Sequence, residues 1–542
     1  MGRITIFSLD DCPHCKRTKN ALQERDIPYV EISLSKFPQK RNDMLSLSDR
    51  LTVPQIFFNE KHIGGADDTL KVLKEWDKNG TLYDNEVAQY DDPSDARLQP
   101  STDPPVVEKP PPKREPFIIR IPQKPTKKNK GSQEVDDTDE DTSSSSSSSK
   151  QKEEKLMTVL EMTELLKRTL PRRDLKYWTT MYKKSFTGKE LIDAFVHEFD
   201  LSRSDAVTLG RYLQKEHHLI HHAVKGSPKM VEDRQDLFFR LQSDQTPNVL
   251  NSYRIWTERV DTDSMGLLKR LKKLLNKILD DHTDSNGKVD YISASKHKDF
   301  PAFEEASCEI QGVNMETMSS DMKLAFSINL YNLAIKYAFT KLGIGTDSTS
   351  RSAFFSNVAI QVGGSNGKVF TLSFQDLENG VLRGNRKAPY TFSKPFGPND
   401  ERNKLVMQHV DNRLHFALNC GASSCPPVKN FTADGIQEEL RIVAQAFCED
   451  DSNVRFDLKT NTLYLNKILY WYGVDFGSSS EEIAKTVATF LRKKDQETLK
   501  KALAISTIKV QYNFYDWGTD AREGCFVPFT SSSIKTNVTK IF

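Results

Sequence analysis

The chain has 542 residues, more than one hydrophobic core can serve, so several domains are expected. Its 77 Lys and Arg against 75 Asp and Glu leave a formal charge of +2, which removes the broad positive field that would make nucleic acid a default partner. Seven scattered cysteines are not the dense framework of a secreted disulfide scaffold, and no apolar run reaches membrane-spanning length, so a cytoplasmic setting is expected. The chain opens on the strand-like Ile4-Thr5-Ile6-Phe7, without the basic and apolar regions of a signal peptide, so no leader is expected. Residues 1–88 alternate strand-like runs at 4–9, 29–32 and 55–58 with helical stretches after Cys15 and Asp67, the pattern of a small α/β unit. Residues 89–154 turn to prolines, lysines, an acidic run and the seven serines of 143–149, and they are expected to be a disordered tether. Residues 155–243 show helical periodicity for three helices and end on the strand-like Leu237-Phe238-Phe239. Residues 250–542 are long enough for one mixed α/β or α+β core, with helices at 266–280 and 320–341 and strands at 357–374 and 413–419.

The chemistry begins at Cys12-Pro13-His14-Cys15. A cysteine that follows a strand and opens a helix sits where unpaired N–H groups and the helix dipole favour negative charge, which predicts a low pKa for Cys12. Cys12 is then the attacking thiolate, and Cys15, one turn further in, resolves the mixed disulfide. No second pair of this spacing is present, so redox chemistry is preferred over zinc and no metal is expected. Thr52-Val53-Pro54 before a strand reads as a cis-proline turn. Gly64-Gly65-Ala66-Asp67-Asp68 reads as a close backbone approach to a ligand at a helix start.

These three motifs together resemble the glutaredoxin family over residues 1–80. The resemblance implies a thioredoxin-like fold, glutathione as co-substrate and protein disulfides as partners, with Cys12 and Cys15 catalytic. It also implies that Arg50, Thr52, Val53, Pro54, Gly65, Asp67 and Asp68 line the tripeptide. One departure is Leu9, where many members carry Lys, followed by Asp10 and Asp11, whose negative charge opposes the thiolate.

The strings 182–192, 204–210 and 217–222 and the closing strand at 238–240 resemble a DEP domain, which implies a winged-helix-like α+β fold. That family implies a non-enzymatic unit docking on an anionic membrane or on a receptor or G-protein-pathway partner. Arg172, Arg173, Lys176, Lys183 and Lys184 would supply the basic surface, the competing reading being a solvated charged face.

In the C-terminal part, strand alternation over 413–419 places His415, Ala417 and Asn419 on one face, with Cys420 and Cys425 in the loop beyond. Three readings compete: a Cys420 nucleophile activated by His415, a metal held by His415, Cys420 and Cys425, and small buried thiols beside a hydrogen-bonded histidine. Asn329 and Asn332 share one face of an apolar helix, while Glu378 and Arg383 flank Asn379-Gly380; such polar groups need partners when buried. The strings 326–332, 377–383 and 415–427, with Trp471-Tyr472 and Tyr515-Asp516-Trp517, resemble domain of unknown function 547, a resemblance that brings no particular activity with it. The expected whole is a glutathione-dependent oxidoreductase coupled to a docking domain, peripheral to the membrane if that domain binds lipid. The alternatives are a non-catalytic signalling scaffold and a cysteine hydrolase or transferase in the C-terminal domain.

Overall fold

Strand β1 (Ile4–Ser8) is buried along its whole length, as a central strand flanked on both edges and covered on both faces must be. The computed structural model describes residues 2–530 apart from 11, 49, 51, 81–82, 106–117, 123–153, 225, 227, 259–262, 390 and 506. Asp11 and the serine run therefore lie outside the described residues. β1 pairs in parallel with β2 (Tyr29–Ser33) and antiparallel with β3 (Gln55–Phe58), which pairs antiparallel with β4 (Lys61–Gly64). Helices α1 (Pro13–Gln23) and α3 (Ala66–Asn79) close one face over Ile4, Ile6, Ile56, Phe58 and Leu73. Helix α2 (Lys40–Ser48) lies on the other, where Phe7, Phe57, Met44 and both cysteines form a second cluster.

The tether expected over 89–154 is not bare coil at its two ends. Leu98, 0% exposed, plugs the cluster around Cys12 and Cys15, and Arg3 binds Asp92 and Gln99, so the first domain runs on past residue 88. At the far end, β5 (Ile118–Pro122) pairs antiparallel with β6 (Glu154–Thr158) and buries Ile119 and Ile121 in the middle core. Composition concealed both ends because a few apolar side chains suffice to anchor a segment once a preformed groove receives them.

The middle domain contains the three expected helices, α4 (Val159–Thr169), α5 (Gly188–Phe199) and α6 (Arg203–Lys215). Thr158 with Glu161 and Thr187 with Glu190 form capping boxes at the starts of α4 and α5. Beside them lies an antiparallel sheet of β7 (Arg173–Tyr177), β8 (Thr180–Thr187), β10 (Phe238–Leu241) and β9 (Ile220–His222), in that spatial order. The β7–β8 hairpin falls where the DEP resemblance implies a basic hairpin surface; its outer part is exposed, while Tyr182 and Phe186 of β8 are buried.

The C-terminal part is built around the helix Ser320–Leu342, buried over most of its circumference and packed on the amphipathic helix Ser264–Asp280. A β11–β12 hairpin (Ala359–Gly363, Val369–Ser373) flanks it. A second core surrounds β13 (Val454–Asp457), β14 (Thr462–Leu465) and β15 (Lys509–Tyr512). The expected strand at 413–419 is absent: Asn412–Phe416 is a 3-10 turn capped by Asp411, whose carboxylate accepts the Arg413 N–H at 2.9 Å. Beyond it Asn332 takes the Ala417 carbonyl and the Asn419 N–H, and the Ala417 and Leu418 N–H groups turn back to the Leu414 carbonyl, so these groups are not offered to a sheet partner.

Candidate functional site

Cys12 is the N-cap of α1, and its sulfur accepts the Cys15 N–H at 3.3 Å. Its pKa is brought down to about 6 by the hydrogen bond from the Cys15 thiol, against the opposing effect of burial, with help from the Cys15 N–H, Lys429 and the His14 N–H. The Cys15 thiol is pushed up by the same pairing and by burial, so the two sulfurs divide into a thiolate and a proton-bearing partner. The Val53–Pro54 bond is cis, and the Val53 carbonyl lies 3.7 Å from the Cys12 sulfur.

The other residues expected around glutathione gather on the same side. Gly64 takes φ +128, and a Cβ there would run into the Asp68 carboxylate. That carboxylate accepts the Gly65 N–H at 2.9 Å and binds Arg50 at 3.3 Å, while Asp67 pairs with Arg17 of α1. Thr52 holds the turn, its carbonyl accepting from the Gln55 side-chain amide at 2.9 Å. Of the acidic residues expected to oppose the thiolate, Asp10 accepts from the Ser33 hydroxyl at 3.0 Å at the edge of the sheet.

In the C-terminal domain the structure separates the pair His415 and Cys420. His415 Nε2 lies 2.8 Å from Asp475 Oδ2, and its ring stacks on Tyr472 with centroids 4.2 Å apart. Burial lowers its pKa, partly offset by Asp475. Arg383 also reaches Asp475, with Nε 2.5 Å and Nη2 3.0 Å from its two oxygens, and Glu378 accepts from Tyr331 and Tyr472. Cys420 instead faces Cys425, with the sulfurs 2.8 Å apart and the Tyr515 hydroxyl 3.6 Å and 3.2 Å from them. Asn329 and Asn332 are clamps: Asn329 binds the N–H and carbonyl of Phe431, and Asn332 binds the Ala417 carbonyl and the Asn419 N–H. Asp475 escaped the sequence reading altogether, since Val474-Asp475-Phe476 carries no spacing signal. Among the described residues no cluster of three or more metal-ligating side chains occurs.

A glutaredoxin family model matches residues 4–63. Glutaredoxin 3 of Escherichia coli strain K12 is 38% identical over 68 residues, 12% of this chain and 82% of that protein. The chain belongs to the glutaredoxin family through its N-terminal domain. Glutaredoxin-C4 of Arabidopsis thaliana is 42% identical over 72 residues, 12% of this chain and 53% of that protein. The solution structure of glutaredoxin from Brucella melitensis aligns at 32% identity, 16% of this chain and 95% of that one, with a TM-score of 0.15. A second model, for a protein of unknown function, DUF547, matches residues 315–448, and the middle domain lies outside both matches.

The glutaredoxin domain meets the C-terminal domain on the side that carries its thiols. Lys16 Nζ, one residue beyond Cys15, lies 2.8 Å from Asp280, and Lys429 favours the Cys12 thiolate. Of the basic residues expected on a docking surface, Arg172 and the exposed Lys184 pair with buried Asp244 at 2.9 Å and 3.4 Å, and Arg173 binds Glu190 at 2.6 Å. Lys176 and Lys183 stand exposed on the hairpin beside Tyr177, Met181 and Trp178, the last 84% exposed at the tip. Among the described residues no helix is long and apolar enough to cross a membrane.

Proposed function

We propose that this chain is a cytoplasmic, glutathione-dependent thiol–disulfide oxidoreductase. The observation that carries the reading is the Cys12 sulfur at the mouth of α1, hydrogen-bonded by Cys15 and held near pKa 6, so that it is largely thiolate at neutral pH. That thiolate attacks a disulfide, expels one sulfur as a thiolate and becomes the mixed disulfide. Cys15 then gives up its proton and attacks the Cys12 sulfur, breaking the mixed disulfide and expelling the second substrate sulfur as a thiolate that takes the proton, which leaves Cys12–Cys15 oxidised; two glutathione thiols restore the dithiol as glutathione disulfide forms. Thr52, Val53 and Pro54 would align the tripeptide backbone, while Arg50, Gly65, Asp67 and Asp68 would take its charged ends. The ion pairs Arg50–Asp68 and Arg17–Asp67 would open to do so; both are exposed and weak.

The middle domain we read as a DEP unit that brings this activity to an anionic membrane or a receptor-pathway partner. Support comes from its helix order, its four-stranded sheet and the hairpin that presents Trp178 between Lys176 and Lys183. The unit boundaries then fall near 105 and 245, with the uncharacterised domain beyond. The test uses the full chain: glutathione-dependent reduction of a small mixed disulfide, with Cys12→Ser as control. Turnover lost in the variant supports the oxidoreductase; turnover no faster than the variant leaves the scaffold reading in its place.

A further inference from the structure

Cys420 and Cys425 are five residues apart in a loop tied down on every side. Asn332 holds its entry and Asn329 its exit, while the Asn419 side-chain amide donates to the Pro426 carbonyl at 2.7 Å. Across the gap the Ser423 hydroxyl donates to the Gly518 carbonyl at 2.9 Å, and Ser424 Oγ accepts the Asp516 N–H at 2.9 Å. This scaffold places the two sulfurs 2.8 Å apart, inside van der Waals contact, so closing them to a bond of about 2.05 Å takes less than an ångström of movement. Both cysteines are half-buried rather than sealed, in contrast to Cys308 and Cys448, which are 0% exposed. Within the pair the roles divide as they do at Cys12 and Cys15. Burial opposes the Cys425 thiolate, but hydrogen bonds from Cys420 and Tyr515 bring it down to about 7, while Cys420 is pushed up by the hydrogen bond to Cys425 and by burial. The loop leads directly to Lys429, whose charge favours the Cys12 thiolate; four residues of chain put Cys425 within roughly 14 Å of Lys429, Cα to Cα.

We propose that Cys420 and Cys425 form a second redox couple, a dithiol–disulfide whose exchange partner is the Cys12–Cys15 pair of the same chain. This rests on the oxidoreductase reading above. In the reducing direction the Cys12 thiolate attacks the Cys420 sulfur of the closed Cys420–Cys425 bond, and Cys425, the better leaving thiolate, departs and takes up a proton. Cys15 releases its proton and attacks Cys12, freeing Cys420 as a thiol. Two electrons pass from Cys12 and Cys15 to Cys420 and Cys425, Cys15 supplies one of the two protons and water the other, and two glutathione thiols then reduce the new Cys12–Cys15 bond. Glutathione disulfide runs the same sequence backwards and closes the C-terminal pair. The C-terminal domain of this chain would thus carry the resident substrate of its glutaredoxin domain.

The test equilibrates the full chain in glutathione and glutathione disulfide mixtures, blocks free thiols with N-ethylmaleimide and reads the Cys420–Cys425 link by peptide mass. Turnover of a small mixed disulfide is measured on the same preparation. Expected is a reversible link in the wild-type chain that opens and closes at least tenfold more slowly in Cys12→Ser, with Cys308 and Cys448 as unlinked internal references. A normal turnover with no link at any mixture overturns the inference and leaves the oxidoreductase reading standing. A link that exchanges equally fast in Cys12→Ser overturns it too, since glutathione then acts directly. Absence of turnover in the wild-type chain removes the oxidoreductase reading and this inference with it.

Discussion

His415 Nε2 and Asp475 Oδ2 are 2.8 Å apart, and both side chains are all but sealed from water, at 2% and 0% exposure. Asp475 also takes the buried Arg383, and a buried cation that loses its carboxylate is left without compensation. Asp475→Asn is expected to cost roughly 3–5 kcal/mol in urea unfolding of the full chain. Burial opposes ionisation of Asp475, but hydrogen bonds from His415 and Arg383 outweigh it and hold the carboxyl well below the usual range. A depressed carboxyl stabilises above its unfolded value of about 3.9, and the contribution fades as pH falls below that value. The gap between wild type and variant should accordingly be full at pH 6 and shrink below pH 4.

Cys12 alkylation by iodoacetamide should follow a midpoint near pH 6, fast above it and slow below. Cys15→Ala removes the strongest support for the thiolate and should raise that midpoint by about one unit, the size of one hydrogen bond to a charge. The same depression makes the reduced domain gain stability as pH climbs from 6 toward 9, and lose it as pH falls through 6. Cys12→Ser should abolish that slope in denaturation curves.

Asn332→Ala strips the Ala417 carbonyl and the Asn419 N–H of their partner inside the core. A loss of about 2–3 kcal/mol is expected, with faster maleimide labelling of Cys420 as its loop loosens. Unchanged labelling would show that Asn329 and Ser423 hold the loop without it.

Trp178→Ala, alone or with Lys176→Glu, should weaken co-sedimentation of the full chain with phosphatidylserine vesicles and leave turnover of a small disulfide intact. Each lysine near an anionic leaflet contributes about 1 kcal/mol, so the double variant should drop binding several-fold further. Equal sedimentation with neutral and anionic vesicles would argue for a protein partner instead.

How much of this was legible in advance differs by region. Cys12 with Cys15, the Pro54 turn and the glycines before Asp67 are each local, so their backbone settings are legible from spacing. His415 and Cys420, by contrast, lie close in sequence and look like a pair, yet the structure gives His415 to Asp475 and Cys420 to Cys425. The strand expected at 413–419 failed for the same reason: alternation records which residues are apolar, not which backbone partner arrives.

From sequence alone came the glutaredoxin likeness of the N-terminal domain, the cysteine pair at the start of α1 and most of the long helices, because cysteine spacing and apolar periodicity act within a few residues of themselves. The tertiary structure alone decided that Leu98 closes the glutaredoxin core, that Asp475 anchors Arg383 and His415, and that Lys429 comes near Cys12. Those contacts join segments tens to hundreds of residues apart, and burial and charge are satisfied by whatever the completed fold brings alongside.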